Sequence, residues 1–151
     1  EYINFLLDPD VNIWLEDEVQ SIKDFSNIEN YLMYGWYRQA IEHEKKFIGV
    51  SGLDLVNKKN KVARFFIVIG KKDLWGKGIG SSVIKSIVNY GFKELQLRKI
   101  NSDFLTPNEA VKIIHEKAGF QHEGFLRKDS YRNNIWIDRE MVSIFADELN
   151  S

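Results

Sequence analysis

A chain of 151 residues, 44% hydrophobic and 28% charged, is long enough for one domain (1–151) with a core of its own and has an ordinary globular balance. Its formal net charge of -1 offers no basic field for nucleic acid, and the lack of cysteine excludes disulfides, thiolate metal ligands and a cysteine nucleophile. The 3 histidines, His43, His115 and His122, stand at no metal-ligand spacing, no apolar run approaches the ~18 residues of a membrane span, and no signal peptide is visible, so the expectations are no metal, no membrane and a cytoplasmic location.

The segment Tyr2–Tyr34 reads as helices broken near Pro9. Residues 1–34 concentrate acid: Glu1, Asp8, Asp10, Glu16, Asp17, Glu18, Asp24 and Glu29 stand against Lys23 alone. Solvated helix faces explain this by base rates, and an acidic rim that attracts a cationic acceptor is the sharper alternative. Trp36–His43 and Lys46–Leu55 read as strands joined at Glu44–Lys45, with Gly49 and Gly52 weakening the second or marking bulges. Asn57–Asn60 is a polar hairpin turn. Val62–Ile69, nearly all apolar and rich in β-branched and aromatic residues, has the pattern of a central strand.

Gly70 ends that strand, and Gly76, Gly78 and Gly80 follow in a short loop. Val83, Ile84, Ile87, Val88, Gly91, Phe92 and Leu95 then recur at helical spacing. Lys99–Leu105 is another strand. A second helix is predicted with Thr106 as N-cap, Pro107 in first position, Glu109 closing a capping box, a buried face of Ala110, Val111, Ile113, Ile114 and Ala118, and Gly119 as the stop. Phe120–Lys128 and Ile135–Phe145 read as final strands around an Arg132–Asn134 turn. Trp14, Trp36 and Trp136 read as core rather than pocket walls. The order predicts an α/β (α+β) mixed sheet flanked by helices.

Strand, glycine loop and helix together can hold phosphate: glycines let N–H groups crowd an anion, and the helix N-terminus adds positive potential, with Lys71, Lys72 and Lys77 nearby. The Walker pattern fails because Gly78 follows Lys77 where Ser or Thr belongs, and the dinucleotide fingerprint fails because Val83 stands at its third glycine.

Trp75-Gly76-Lys77-Gly78-Ile79-Gly80-Ser81 resembles the coenzyme A loop of GNAT-superfamily N-acetyltransferases. Asn108 through His115 to Gly119-Phe120 is similar to that family's second hallmark, Asn-x-x-Ala/Ser…Tyr-x-Lys-x-Gly-Phe. Leu6–Val11 and the stretch from Glu123-Gly124 through Tyr131, Asp138 and Met141 resemble the branch that includes ribosomal-protein, spermidine and sugar-nucleotide acetyltransferases. The resemblance implies a mostly antiparallel GNAT sheet whose first strand would precede Glu1, and direct transfer of acetyl from acetyl-CoA to a primary amine. The acceptor is a polyamine, an amino-sugar nucleotide or a protein N-terminus.

It implies that backbone N–H groups of Gly76, Lys77, Gly78, Ile79, Gly80 and Ser81 hold the pyrophosphate. Val68, Ile69 and Gly70 would line the pantetheine, with Asn108 and Lys117 beside it. His115 stands where the family commonly has the tyrosine that protonates the thiolate, with Tyr131 or Tyr90 as alternatives. Arg64 stands where many relatives carry a glutamate base, which leaves Asp103, Glu123, His122 or a water chain for that role. Homodimers are common in the family. The competing reading is a coenzyme A-binding sensor or scaffold without turnover, motivated by Arg64 and His115.

Overall fold

The computed structural model describes residues 1–20 and 36–149; the second half of the predicted N-terminal helical segment lies outside them. Helices α1 (Tyr2–Leu7), α2 (Pro9–Asn12) and α3 (Asp17–Gln20) lead to strands β1 (Tyr37–His43), β2 (Lys46–Asn57) and β3 (Val62–Ile69). Helix α4 (Ile79–Lys93), strand β4 (Lys99–Leu105), helix α5 (Glu109–Ala118) and strands β5 (Gln121–Arg132) and β6 (Ile135–Phe145) complete the chain. The strands form one 6-stranded sheet in the order β1-β2-β3-β4-β6-β5. Every pairing is antiparallel except β3 with β4. This is the mixed α/β sheet with flanking helices expected from the order of apolar runs.

Local chemistry accounts for most of the joints. Both residues of the two-residue turns are left-handed, φ 50° and 62° at Glu44–Lys45 and 48° and 66° at Asn133–Asn134, the backbone that matches strand twist in a tight hairpin. Asparagine tolerates that conformation, whereas Glu44 and Lys45 are imposed on it by the strands. One irregularity falls beside Gly49, where Ile41 pairs with Gly49 and Glu42 with Phe47, and another between Leu55 and Asn57, while Gly52 lies in regular pairing. Both glycines are needed because strand backbones crowd them: a side chain at Gly49 would start 2.0 Å from the Val68 carbonyl oxygen.

The core lies between the sheet and the helices α4 and α5, built from Leu53, Phe65, Ile84, Val88, Ile100, Phe104, Phe120 and Ile144. Complete burial of a side chain such as Ile100 contributes about 1.5–3 kcal/mol. A smaller cluster, Leu6, Val11 and Val19 on Val68, fixes the N-terminal helices to the other face of β3.

Three expectations need correction. Helix α5 begins at Glu109 with Asn108, not Thr106, as its cap: the Asn108 side-chain oxygen accepts from the Val111 N–H at 3.4 Å. Thr106 is used instead in a turn, where its N–H donates to Asp138 O. The buried residue of α5 is His115, while Ala110 and Ile113 are exposed. Trp36 and Trp136 are 44% and 62% exposed rather than core, and Trp14 is half-buried against the cavity described next.

Candidate active site

Strands β3 and β4 run parallel for only three residue pairs, Val62↔Lys99, Ala63↔Ile100 and Arg64↔Asn101, and then part. The fork holds a cavity of about 200 Å³ walled by β3 from Arg64 to Ile69, by Ser102–Phe104 of β4, and by Asn108, Val111, Ile114 and His115 around α5. Trp14, Leu15 and Glu16 close one side, and Trp75 and Gly80 stand at the end nearest the glycine loop.

The backbone edge exposed in the fork follows from strand alternation. The Gly70 N–H is spent on Ile48 O of β2 at 2.9 Å, so Val68 and Phe66, two and four residues earlier, also direct their backbone groups to β2. Phe65, Ile67 and Ile69 therefore face β4. The Phe65 carbonyl lies 3.4 Å from Ser102 Oγ, and the Ile69 carbonyl accepts from the Trp75 indole N–H at 2.8 Å. The Ile67 N–H and C=O and the Ile69 N–H are left pointing into the cavity. An extended amide chain laid there would meet the donors and acceptors of a missing strand. Of the three residues expected to present backbone at this edge, Ile69 does so, while Val68 and Gly70 turn theirs to β2.

At the end of β3 the loop is open. Gly76 and Gly78 have φ of 74° and 82°, and a Cβ at either would meet nothing within 4 Å, so the left-handed backbone rather than crowding calls for glycine. The first bond of α4 runs from the Ser82 N–H to Gly78 O at 3.1 Å. The N–H groups of Ile79, Gly80 and Ser81 therefore have no partner within the helix. A Cβ added at Gly80 would meet the Ile114 side chain at 3.5 Å, an ordinary contact, so the loop lies beside α5. Lys77 makes no ion pair among the described residues, but Lys72 is held by Asp8 and Asp10 and Lys71 by Glu1. Those acids of the N-terminal segment are thus matched within the chain, as are Glu16 by Arg64 and Asp17 by Arg132. Asp24 and Glu29 lie outside the described residues.

The opposite end of the cavity is crowded with charge. Asp103, its side chain 5% exposed, accepts from Arg64 Nε at 2.7 Å and from Arg139 Nη1 at 2.7 Å. Arg139 also donates to Asp129 at 2.8 Å and Ser130 Oγ at 2.9 Å. Glu16 pairs with Arg64 from the far side, and burial lifts its carboxyl above the usual range, with Arg64 opposing that shift. Arg64 explains itself here. It brings in Glu16 from the N-terminal segment.

His115 is 2% exposed and packed among the rings of Phe65, Phe104 and Phe120. Its Nδ1 lies 2.7 Å from Val111 O and its Nε2 2.7 Å from Ser102 Oγ. A carbonyl only accepts, so Nδ1 carries the proton. Burial pushes the imidazole below its ordinary pKa, which keeps it neutral and makes Nε2 the acceptor of the Ser102 hydroxyl.

The cavity brings together Val68, Ile69, Gly80, Asp103, Asn108 and His115 of the expected site residues. Lys117 is exposed on α5 away from the cavity wall, His122 is bound to Glu140, Glu123 to Lys99 and Ser143, and Tyr131 lies outside on Trp136. Tyr90 stacks on Tyr37 beyond the cavity wall. Arg139 and Ser102 carry no signal in the sequence, and Glu16 reads only as one acid of the N-terminal segment, because no short spacing links them; only the basic residue at position 64, in a strand otherwise apolar, hints at a buried acid. Among the described residues no group of acids and histidines could hold a metal, and no helix is long and apolar enough to cross a membrane.

Comparison with known proteins agrees with this geometry. The N-acetyltransferase YoaA of Bacillus subtilis is 33% identical over 132 residues, 86% of this chain and 73% of that protein. A spermidine N(1)-acetyltransferase of Vibrio cholerae is 26% identical over 141 residues, 91% of this chain and 81% of its own. The crystal structure of a Vibrio cholerae spermidine N-acetyltransferase in complex with CoA and spermine superposes with a TM-score of 0.83 at 22% identity, covering 99% of this chain and 90% of that one, which establishes the shared fold. YdaF of Bacillus subtilis, named for ribosomal acetylation, is 29% identical over 101 residues, 67% of this chain and 53% of that protein, so the relatives span more than one branch. Residues 1–121 match the acetyltransferase (GNAT) domain model, and the chain belongs to the GNAT acetyltransferase family.

Proposed function

We propose that this protein transfers acetyl from acetyl-CoA to a primary amine, both substrates meeting in the β3–β4 fork. The observation that carries the reading is the backbone edge of Ile67 and of the Ile69 N–H, unpaired among the described residues, which leads to a loop with N–H groups free of helix bonds at Ile79–Ser81. An amide-bearing pantetheine arm and a pyrophosphate need those two features in that order. Gly76, Lys77, Gly78, Ile79, Gly80 and Ser81 then hold the pyrophosphate, and Asn108, fixed as the α5 cap, stands beside the arm.

A polyamine is the acceptor we favour. At the far end of the cavity Glu16 and Asp103 face Arg64 and Arg139, Arg139 is matched from outside the lining by Asp129, and Glu16 is the half-exposed carboxylate able to meet an incoming cation. The relatives named for spermidine lean the same way. Asp103, held by two guanidiniums, orients that cluster rather than taking the amine proton. A homodimer is a part of the proposal carried by family likeness, and a cytoplasmic location is its default.

The alternative is a coenzyme A sensor without turnover, favoured by Arg64 standing where a base is common. Release of free thiol from acetyl-CoA separates the two. With spermidine, an amino-sugar nucleotide and a peptide α-amine each supplied in turn, the proposal predicts amine-dependent release, greatest with spermidine. Tight binding of acetyl-CoA with no release for any amine would leave only the sensor.

A further inference from the structure

Ser102 stands at the point where β3 and β4 part, one residue past the last parallel pair. Its hydroxyl reaches 3.4 Å across the fork to Phe65 O and, at 2.7 Å, into the fold to His115 Nε2. The shorter contact claims the proton. The Nδ1–H bond to Val111 O fixes the imidazole tautomer, so the lone pair of Nε2 has only the Ser102 hydroxyl to accept from among the described residues. Both side chains are 2% exposed, yet both line the cavity. A serine hydroxyl backed by a neutral, oriented imidazole is a proton acceptor in waiting. Among the described residues the other candidates are engaged, Asp103 with Arg64 and Arg139, and Glu16 with Arg64.

Resting on the acetyl-transfer reading, we infer that Ser102 is a catalytic residue that shuttles a proton between the reacting atoms and His115. As the acceptor nitrogen bonds to the acetyl carbonyl carbon, its surplus proton passes to Ser102 Oγ while the Oγ proton moves to His115 Nε2. As the carbon–sulfur bond breaks, Nε2 returns its proton to Oγ and Oγ gives one to the sulfur. One proton has then moved from nitrogen to sulfur, and the dyad is back in its starting state. His115 thus serves both base and acid without touching either substrate. The charges that face it are Asp103 on β4 and Glu140 on β6, both of which favour the imidazolium formed midway, against the burial among Phe65, Phe104 and Phe120 that keeps the resting ring neutral.

The test uses the whole chain, unaltered and as Ser102→Ala, Ser102→Thr and His115→Gln. Nitrogen NMR of the free protein reads the dyad without any turnover: His115 is expected as the neutral Nδ1–H tautomer at pH 7, with its Nε2 signal shifted in Ser102→Ala. Thiol release is followed with spermidine, an amino-sugar nucleotide and a peptide amine, and acetyl-CoA affinity is measured beside it. The shuttle predicts affinity unchanged within about two-fold, a fall in kcat of about 100-fold or more for Ser102→Ala and His115→Gln, and recovery to within about ten-fold in Ser102→Thr. It also predicts a curved dependence of rate on deuterium fraction in the unaltered chain and a straight line in Ser102→Ala. A charged His115 at pH 7, or a Ser102→Ala variant that keeps most of its kcat, overturns the shuttle while acetyl transfer stands. No thiol release by the unaltered chain with any amine overturns both.

Discussion

The loop at Gly76–Ser81 and the cluster around Asp103 lie at opposite ends of one cavity and are built in opposite ways. The loop keeps donors open: helix N–H groups without partners, left-handed glycines with empty space around them, and a lysine that pairs with nothing described. The Asp103 cluster is largely closed: two guanidiniums, three carboxylates and a serine satisfy one another across β3, β4, β5, β6 and the N-terminal segment, with Glu16 half-exposed at its edge. The first arrangement leaves its binding energy for a polyanionic ligand. The second spends it inside the fold and holds the fork apart at a fixed width, so substitutions at the two ends should separate stability from affinity.

The largest effect is expected at the saturated end. Asp103→Ala removes the carboxylate shared by Arg64 and Arg139, leaving Arg139 only Asp129 and Ser130 and Arg64 only Glu16, and should cost about 3 kcal/mol of unfolding free energy in urea. A loss below about 1 kcal/mol would mean that the cluster is a solvated surface network. At the open end Gly78→Glu should lower acetyl-CoA affinity by about 100-fold, roughly 2.7 kcal/mol in a calorimetric titration, by placing a carboxylate against the pyrophosphate. Its cost in stability should be smaller, about 1 kcal/mol, for the strained φ of 82°.

His115, between the two ends, adds a pH dependence. Its folded pKa lies below the unfolded value, so the unfolded chain binds the extra proton. Its contribution is fully present above about pH 6.5 and declines as pH falls towards the folded pKa, by at most about 1.4 kcal/mol per pH unit. Unfolding between pH 7 and 5 should show this slope in the unaltered chain and lose it in His115→Phe; Glu16, shifted upward, contributes with the opposite sign in both chains and cancels in their difference. The smallest change is expected from Lys77→Ala, a few-fold loss of acetyl-CoA affinity that fades as salt rises, since an exposed cation acts through a screened field.

The same contrast marks what the sequence disclosed. Val62–Ile69, the glycine loop and the following helix were legible because their signals are local: a run of β-branched residues, then glycines, then apolar positions at helical spacing. The capping of α5 was misplaced by two residues because Thr106, Pro107 and Asn108 each suit a helix start, and the bond to the Val111 N–H decides among them. The Glu16–Arg64–Asp103–Arg139 cluster was not legible, since strand pairing alone brings positions 64, 103 and 139 together. Ser102 was hidden for the same reason: a polar residue in a strand becomes chemistry only when a histidine on the next helix reaches it.

The most direct test of the open fork is amide hydrogen exchange at β3, read residue by residue by NMR with and without acetyl-CoA. The account predicts that the Ile67 and Ile69 amides exchange fast in the free protein and become protected on addition of acetyl-CoA, while Phe66, Val68 and Gly70, bonded to β2, stay slow throughout. Slow exchange at Ile67 and Ile69 in the free protein, or no added protection at saturating acetyl-CoA, would contradict it.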